Sequence, residues 1–197
     1  MSLSLLDWRR TVAAMYADIR ADPDPHRAWQ RWRAARDQLF ATHPDSPVPA
    51  EERGSFTGLR FGEYDPALHF QLPVEPAEPL RIEVPAATDG VVPFERFGRV
   101  RLPGLGSLDV WWLDSYGGGV FVPVKDPNPD TYGGGRYLID TVKGADLGGY
   151  GGRLVIDLNF AYNPSCAYDS IWTCPLAPLG NTLDVPVSAG ELTYHPR

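Results

Sequence analysis

The residues best suited to chemistry are concentrated in one segment near the end of the chain, Asp157–Pro178. The segment holds both cysteines, Cys166 and Cys174, among carboxylate, amide and aromatic side chains. Asn163 precedes Pro164, which restricts Asn163 to an extended backbone and holds its amide in a fixed direction. A fixed amide can tie a loop or recognise a ligand, so Asn163 is a candidate ligand-binding residue.

The two cysteines are eight positions apart, a spacing that fits neither a C-x-x-C redox motif nor a zinc knuckle. Two interpretations of the pair stay open, namely buried thiols that pack as small hydrophobic groups and a disulfide. Cys166 is also a candidate nucleophile, although no histidine lies close to it in sequence to act as the base. The histidines show no ligand-like spacing, so we predict no metal site.

A second group of candidate residues lies in the run Asp126–Asp140, around three consecutive glycines. The uncovered backbone N–H groups of such a loop can form an anion-binding nest. Arg136 follows directly and can bind a carboxylate or phosphate through two parallel hydrogen bonds. The alternative is a tight turn that enters a strand, with Arg136 paired to Asp140 or Asp157. The candidate ligand-binding residues of this run are Tyr132, Gly133, Gly134, Gly135 and Arg136.

Together the two segments predict a small-molecule site for an anionic ligand, formed by the Gly-rich loop 131–136 and the segment 157–178. Arg136 would anchor the anion, and Tyr132 and Asn163 would hydrogen-bond it. Asp157 or Glu191 would act as a general base if desolvated. Two alternatives stay open: a flavin or other phosphate-bearing cofactor bound in a split barrel, and a non-enzymatic module whose aromatic surface binds a partner protein. The residues identify no reaction, substrate or cofactor, and they leave open whether the protein is an enzyme.

Two predicted helices begin the chain. Ser4 is the predicted N-cap of the first helix, and Asp24 followed by Pro25 begins the second. Each carries a stripe of apolar side chains at helical spacing, so we predict a helical hairpin over residues 1–42 that buries both stripes against another layer. A cluster of arginines on the second helix is predicted to form a solvated face. The cluster comprises Arg27, Arg31, Arg33 and Arg36.

Short β-type runs follow a Pro-rich connector and predict a β-rich body over residues 55–197. Short links between successive strands favour antiparallel pairing, in a barrel or a sandwich. The predicted fold is therefore α+β, mostly β: a single domain, 1–197, with an N-terminal helical hairpin packed on an antiparallel β-barrel or sandwich of about eight strands. The predicted strands are Leu59–Tyr64, Leu80–Val84, Phe94–Leu102, Leu108–Asp114, Gly119–Val124, Arg136–Thr141, Arg153–Phe160 and Leu183–Val187.

Composition argues against several classes of protein. The net charge of −7 disfavours a general nucleic-acid or anionic-membrane binder, which needs a basic surface. No apolar window is long enough for a membrane span, and charged residues interrupt the N-terminus before a signal-peptide core can form. We therefore expect a cytoplasmic protein with reduced thiols, and neither nucleic acid nor membrane as a partner.

The C-terminal half also carries recognisable motifs: DTYGGGRYL at Asp130–Leu138, the segment Asp157–Pro178, and Ala189-Gly190-Glu191. They resemble the bacterial and archaeal family called domain of unknown function 1684, and the run Ser55–Pro66 is similar to that family as well. The resemblance covers nearly the whole chain and implies the family's fold, but it implies no activity, substrate or cofactor. The chain departs from the family pattern at Leu158, at Leu179-Gly180 and at Leu192.

Overall fold

Two helices form the N-terminal hairpin of the protein, which a computed structural model describes over residues 2–86 and 90–195. They are α1 (Leu3–Ala21) and α2 (Pro25–Thr42). The N-cap of α1 is Ser2, whose side chain accepts a backbone N–H, so the prediction of Ser4 was wrong because Ser4 already lies inside the helix. Asp24 caps α2 as predicted. No described helix is both long and apolar enough to cross a bilayer.

Seven strands are present in the described residues: β1 (His69–Pro73), β2 (Leu80–Ala86), β3 (Gly90–Leu102), β4 (Gly106–Leu113), β5 (Gly119–Val124), β6 (Arg136–Asp140) and β7 (Arg153–Asp157). Strands β2 to β6 form one antiparallel sheet in sequence order, and β1 pairs with β7 in a second. Apolar side chains of both sheets share one core. The α+β prediction is confirmed, and its body is sandwich-like rather than a closed barrel.

Of two further predicted strands, one is reduced to a single bridge and the other is absent. The predicted strand Leu59–Tyr64 forms a single bridge, between Phe61 and Glu191. The next residue is Gly62, where a Cβ would fall 1.7 Å from the Ser188 carbonyl oxygen of the crossing segment. The predicted strand Leu183–Val187 is absent, and the one bridge nearby lies at Thr182. Proline at position 186 cannot donate to a ladder, which explains the interruption.

Strand β7 is shorter than the predicted Arg153–Phe160. It ends at Asp157 because the Asp157 carboxylate accepts the N–H of Asn159 and begins a short 3₁₀ turn, Leu158–Phe160. Its partner β1 was not predicted. The turn and the β1–β7 pair together determine where the Asp157 side chain points.

Aromatic side chains hold the hairpin on the β-rich body. Trp32 is buried, and its ring lies 5.5 Å from that of Phe61 and 5.1 Å from that of Phe160. The Trp29 indole N–H donates to the carbonyl oxygen of Asn159 at 3.0 Å. The assignment of both tryptophans to the core is confirmed, and truncating either to alanine is expected to cost about 3–5 kcal/mol.

Candidate functional site

Arg136 lies at the start of β6. Acceptors of the protein itself bond to both of its Nη groups, whereas its buried Nε has no hydrogen-bond partner among the described residues. The residue is 1% exposed, and Nη2 donates to the Asp126 carboxylate at 2.9 Å. Nη1 donates to two backbone carbonyl oxygens of the C-terminal segment, at 2.6 and 3.2 Å. Burial lowers the pKa of Arg136, and Asp126 opposes that shift. The ion-pair partner of Arg136 is therefore Asp126, and neither Asp140 nor Asp157. Binding of a ligand by Arg136 stays a prediction, and this geometry does not favour it.

The loop Gly133–Gly135 forms a closed turn. The Gly135 N–H donates to the Tyr132 carbonyl at 2.9 Å, and the Gly134 carbonyl accepts the Ala177 N–H at 3.3 Å. Gly135 has a φ of +92°, and a Cβ there would lie 3.0 Å from the Val124 carbonyl oxygen. The Tyr132 hydroxyl lies 3.5 Å from the Cys166 Sγ. The structure thus does not bring the loop's N–H groups together with a free arginine, and the anion nest stays a prediction.

Glu191 lies at the centre of a buried polar cluster. Its Oε2 accepts from Arg36 Nη2 at 2.7 Å and from the Asn163 backbone N–H at 3.1 Å. Its Oε1 accepts from Asn163 Nδ2 at 3.2 Å and from the Tyr168 hydroxyl. Burial raises the pKa of Glu191, and Arg36 opposes the rise. These bonds occupy the carboxylate, so the role of Glu191 as a general base stays a prediction.

Arg36 is the residue of this cluster that the sequence analysis placed wrongly, on a solvated face. It is buried, because its guanidinium packs over the rings of Trp32, Phe40 and Tyr162 while Glu191 balances the charge. Its position on the apolar stripe of α2, four residues after Trp32, was the signal that could have revealed this burial.

A partly open cavity of about 80 Å³ lies between the hairpin and the Glu191 cluster. Two residues of the cluster that line it carry buried polar atoms, Asn163 Oδ1 and Arg36 Nε, which have no hydrogen-bond partner among the described residues. Half of the remaining lining residues are aromatic, which suits a planar ring. We call this space the inner cavity. Its aromatic lining residues are Trp8, Tyr16, Phe40, Tyr137, Tyr162 and Tyr168.

A second cavity of about 200 Å³, here the outer cavity, adjoins the first. Lys143, which lines both, is 53% exposed, and its Nζ lies 3.7 Å from the Asp140 carboxylate. Arg9 of α1 and Asp45 also line the outer cavity. One cation, Lys143, therefore lies where the two cavities meet, and the outer cavity carries one further cation, Arg9, and one carboxylate, Asp45. The residues common to both cavities are Trp8, Pro47, Lys143 and Ser165.

Cys174 lines the outer cavity, and Cys166 is its neighbour. Both are free thiols, and the Cys166 backbone N–H lies 3.4 Å from the Cys174 Sγ. A hydrogen bond from Cys174 lowers the pKa of Cys166 to about 6, and the same contact raises the pKa of Cys174. No histidine in the described residues hydrogen-bonds Cys166, so a nucleophilic role for this thiol stays a prediction.

Asp157 lies away from these cavities, behind a histidine. It is buried, and its Oδ2 lies 2.8 Å from His69 Nδ1. The two residues are 88 positions apart and meet only because β1 pairs with β7, so the sequence analysis missed His69. The general-base role of Asp157 stays a prediction, since its carboxylate is hydrogen-bonded to the His69 imidazole.

The two-helix hairpin on a sandwich-like body defines an α+β protein whose polar residues meet beneath the helices. The chain belongs to the family described as "Protein of unknown function (DUF1684)", whose model matches residues 54–192. Its fold is similar to the solution NMR structure of an uncharacterized protein from Haloarcula marismortui, with 32% identity and a TM-score of 0.57 over 84% of this chain and 94% of that chain. No curated protein matches the chain. The family match begins after α2, so Glu191 and Asn163 lie inside it and Arg36 lies outside.

Proposed function

We propose that the protein binds a small phenolic anion in the inner cavity. The observation that carries the proposal is the pair of buried polar atoms, Asn163 Oδ1 and Arg36 Nε, which lack partners and belong to residues lining the same aromatic cavity. Buried polar groups are almost always hydrogen-bonded, so an unpaired acceptor and donor in one cavity indicate a ligand with the complementary donor and acceptor.

A phenol hydroxyl is such a group. It can donate to Asn163 Oδ1 and accept from the Arg36 Nε–H at the same time. The two residues are neighbours, because Arg36 Nη2 and the Asn163 N–H both bond to Glu191 Oε2. A cavity of about 80 Å³ favours a single ring over the three fused rings of a flavin, which weakens the flavin alternative.

The positively charged side chains Lys143 and Arg9, which line the outer cavity, are the reason why we propose an anionic ligand. Lys143 lies where the inner and outer cavities join, and Arg9 lines the outer cavity. A carboxylate on the ring, opposite the hydroxyl, would face these cations. The segment 157–178 supplies Asn163 and Ser165 to this site, whereas no residue of the loop 131–136 lines it. The proposed anchor of the anion is thus Lys143 rather than Arg136.

The test is a binding titration of the full chain by ligand-observed NMR with 4-hydroxybenzoate, and with benzoate as the analogue without the hydroxyl. Losing the hydroxyl leaves Asn163 Oδ1 and Arg36 Nε unpaired, which costs about 1–3 kcal/mol, or about 5- to 150-fold in affinity. Lys143→Gln is expected to weaken 4-hydroxybenzoate binding by up to about fivefold, as for an exposed ion pair.

The matched control is Lys125→Gln, because the chain has only these two lysines and Lys125 lines neither cavity. It should leave binding unchanged. Equal affinity for benzoate and 4-hydroxybenzoate, equal effects of the two lysine substitutions, or no saturable binding of either compound would contradict the proposal.

The partner-binding alternative is supported by one observation on the five-stranded sheet. Phe97 and Trp112, on β3 and β4, are 47% and 43% exposed and line one shallow groove. Aromatic side chains are enriched at protein interfaces. The tagged full chain should then lose its captured partner when Trp112 is changed to glutamine. Trp172→Gln should leave the capture unchanged, because Trp172 is an exposed tryptophan outside the groove. Identical captured proteins from both variants would remove this alternative.

A further inference from the structure

His69 and Asp157 form a dyad near the junction of the two helices, apart from the inner cavity. They lie directly opposite each other on β1 and β7, with His69 Nδ1 2.8 Å from Asp157 Oδ2. Asp157 is buried, whereas the His69 side chain is 39% exposed. One ring nitrogen therefore faces a buried carboxylate while part of the ring reaches solvent.

A second layer of hydrogen bonds holds Asp157 in place. Its Oδ1 accepts from the backbone N–H of Asn159 at 2.9 Å and from Asn159 Nδ2 at 2.8 Å. Asn159 is itself fixed, because its side chain bonds to both backbone groups of Asp65 and its carbonyl accepts from Trp29. A carboxylate held this rigidly fixes the imidazole tautomer, with the proton on Nδ1 and the lone pair on Nε2.

His69 Nε2 has no hydrogen-bond partner among the described residues. The ring instead lines a cavity of about 170 Å³, which is large enough for a small substituted ring or a short acyl chain. The cavity is bounded by apolar side chains and by three charged residues, namely Arg20, Asp22 and Asp157 itself. Its apolar lining residues are Ile19, Pro25, Leu147, Val155 and Phe160.

We propose that His69 is a catalytic residue for acyl transfer to water, acting on small, apolar acyl esters, and that Asp157 is its positioning residue. The geometry is that of a nucleophile whose orientation is set by a buried acid.

The proposed reaction has two steps, acylation of His69 and hydrolysis of the acyl group. The Nε2 lone pair attacks the ester carbonyl carbon, a C–N bond forms, and the C–O bond to the alcohol breaks with its electron pair leaving on the alcoholate. Water then attacks the same carbon. The C–N bond breaks with its pair returning to Nε2, and one water proton neutralises the alcoholate. Ester and water thus give acid and alcohol, with Nδ1–H bonded to Asp157 throughout.

The charges around His69 predict the pH dependence. The hydrogen bond to Asp157 raises the pKa of His69, and partial burial opposes the rise. Arg20 and Asp22 line the same cavity, and Tyr64 lies within the field of Asp157. The lone pair is present only when His69 is neutral, so the rate should rise with pH through the raised pKa of His69 and then become constant.

The test is p-nitrophenyl acetate hydrolysis by the full chain, measured as initial rate between pH 5 and 9. His69→Gln should lower the rate by about tenfold or more. Asp157→Asn presents an amide N–H to Nδ1, which moves the imidazole proton to Nε2, so a loss of similar size is expected without unfolding. His195→Gln is the control, because His195 is exposed and has no carboxylate partner in the described residues.

A second measurement uses the unsubstituted chain and so does not depend on the stability of any variant. At pH 9, where both imidazoles are neutral, diethyl pyrocarbonate should modify His69 faster than His195, as read by peptide mass spectrometry. The midpoint pH of the His69 modification should lie above the ordinary histidine value. Wild-type hydrolysis in His69→Gln, an equal loss in His195→Gln, or slower modification of His69 than of His195 would overturn the proposal.

Discussion

Replacing Glu191 with leucine removes the carboxylate that joins α2 to the C-terminal segment. Arg36 would then be a buried cation without a counterion, and the Asn163 amide and Tyr168 hydroxyl would lose their acceptor. Breaking a buried ion pair by removing one partner costs about 3–5 kcal/mol. In a chain of this size that corresponds to a fall in Tm of about 6–20 °C.

The assay is thermal and urea unfolding of Glu191→Leu beside Glu63→Leu, an exposed glutamate with no ion pair in the described residues. The control should change the free energy of unfolding by no more than about 0.5 kcal/mol. Combining Glu191→Leu with Arg36→Met should recover part of the loss, because the uncompensated charge is then gone. Equal stability of the two glutamate variants, or no recovery in the double variant, would refute this description of the cluster.

Two further predictions follow from the contacts of single residues. The rate at which Cys166 reacts with iodoacetamide should rise with a midpoint near pH 6. Cys174→Ala should move that midpoint upward, because it removes the hydrogen bond to the Cys166 thiolate. A wild-type midpoint near the ordinary thiol pKa of about 8.5 would contradict this prediction. Gly190→Ala should lower the free energy of unfolding by about 1–3 kcal/mol more than Gly104→Ala in urea. Gly190 and Gly104 both have positive φ, +79° and +76°. Of the two, only Gly190 lies so close to another backbone atom that a Cβ would meet it, at 2.7 Å from the Leu158 carbonyl oxygen. Equal losses of unfolding free energy in the two variants would show that this close approach is absent.

The helices and most of the large sheet could be predicted because their signals are local. Asp24 with Pro25 marks the start of α2, and the Gly119–Val124 strand has the predicted bounds. Strand β1 was missed because its stability comes from pairing with β7, more than 80 residues away. The single-domain organisation and the cytoplasmic location stay predictions.

The candidate site was predictable only in part, for a related reason. Asn163 was identified from the restricted backbone before proline, and it does line the inner cavity. Arg136 has the right chemistry for an anion, but Asp126 and backbone carbonyls already occupy it. The burial of Arg36 was signalled locally by its place on the apolar stripe of α2, but its partner Glu191 comes from a tertiary contact. His69 gains its environment entirely from tertiary contacts, so no pattern near it in the chain described its surroundings.

The most direct test of the proposed site is a titration of the isotope-labelled full chain with 4-hydroxybenzoate, observing side-chain N–H resonances. We expect the Asn163 side-chain amide and the Arg36 Nε–H to shift most, since both would contact the ligand hydroxyl. Shifts confined to Arg136 and the Gly133–Gly135 amides, with Asn163 and Arg36 unchanged, would contradict the inner-cavity site and return the anion to the Gly-rich loop.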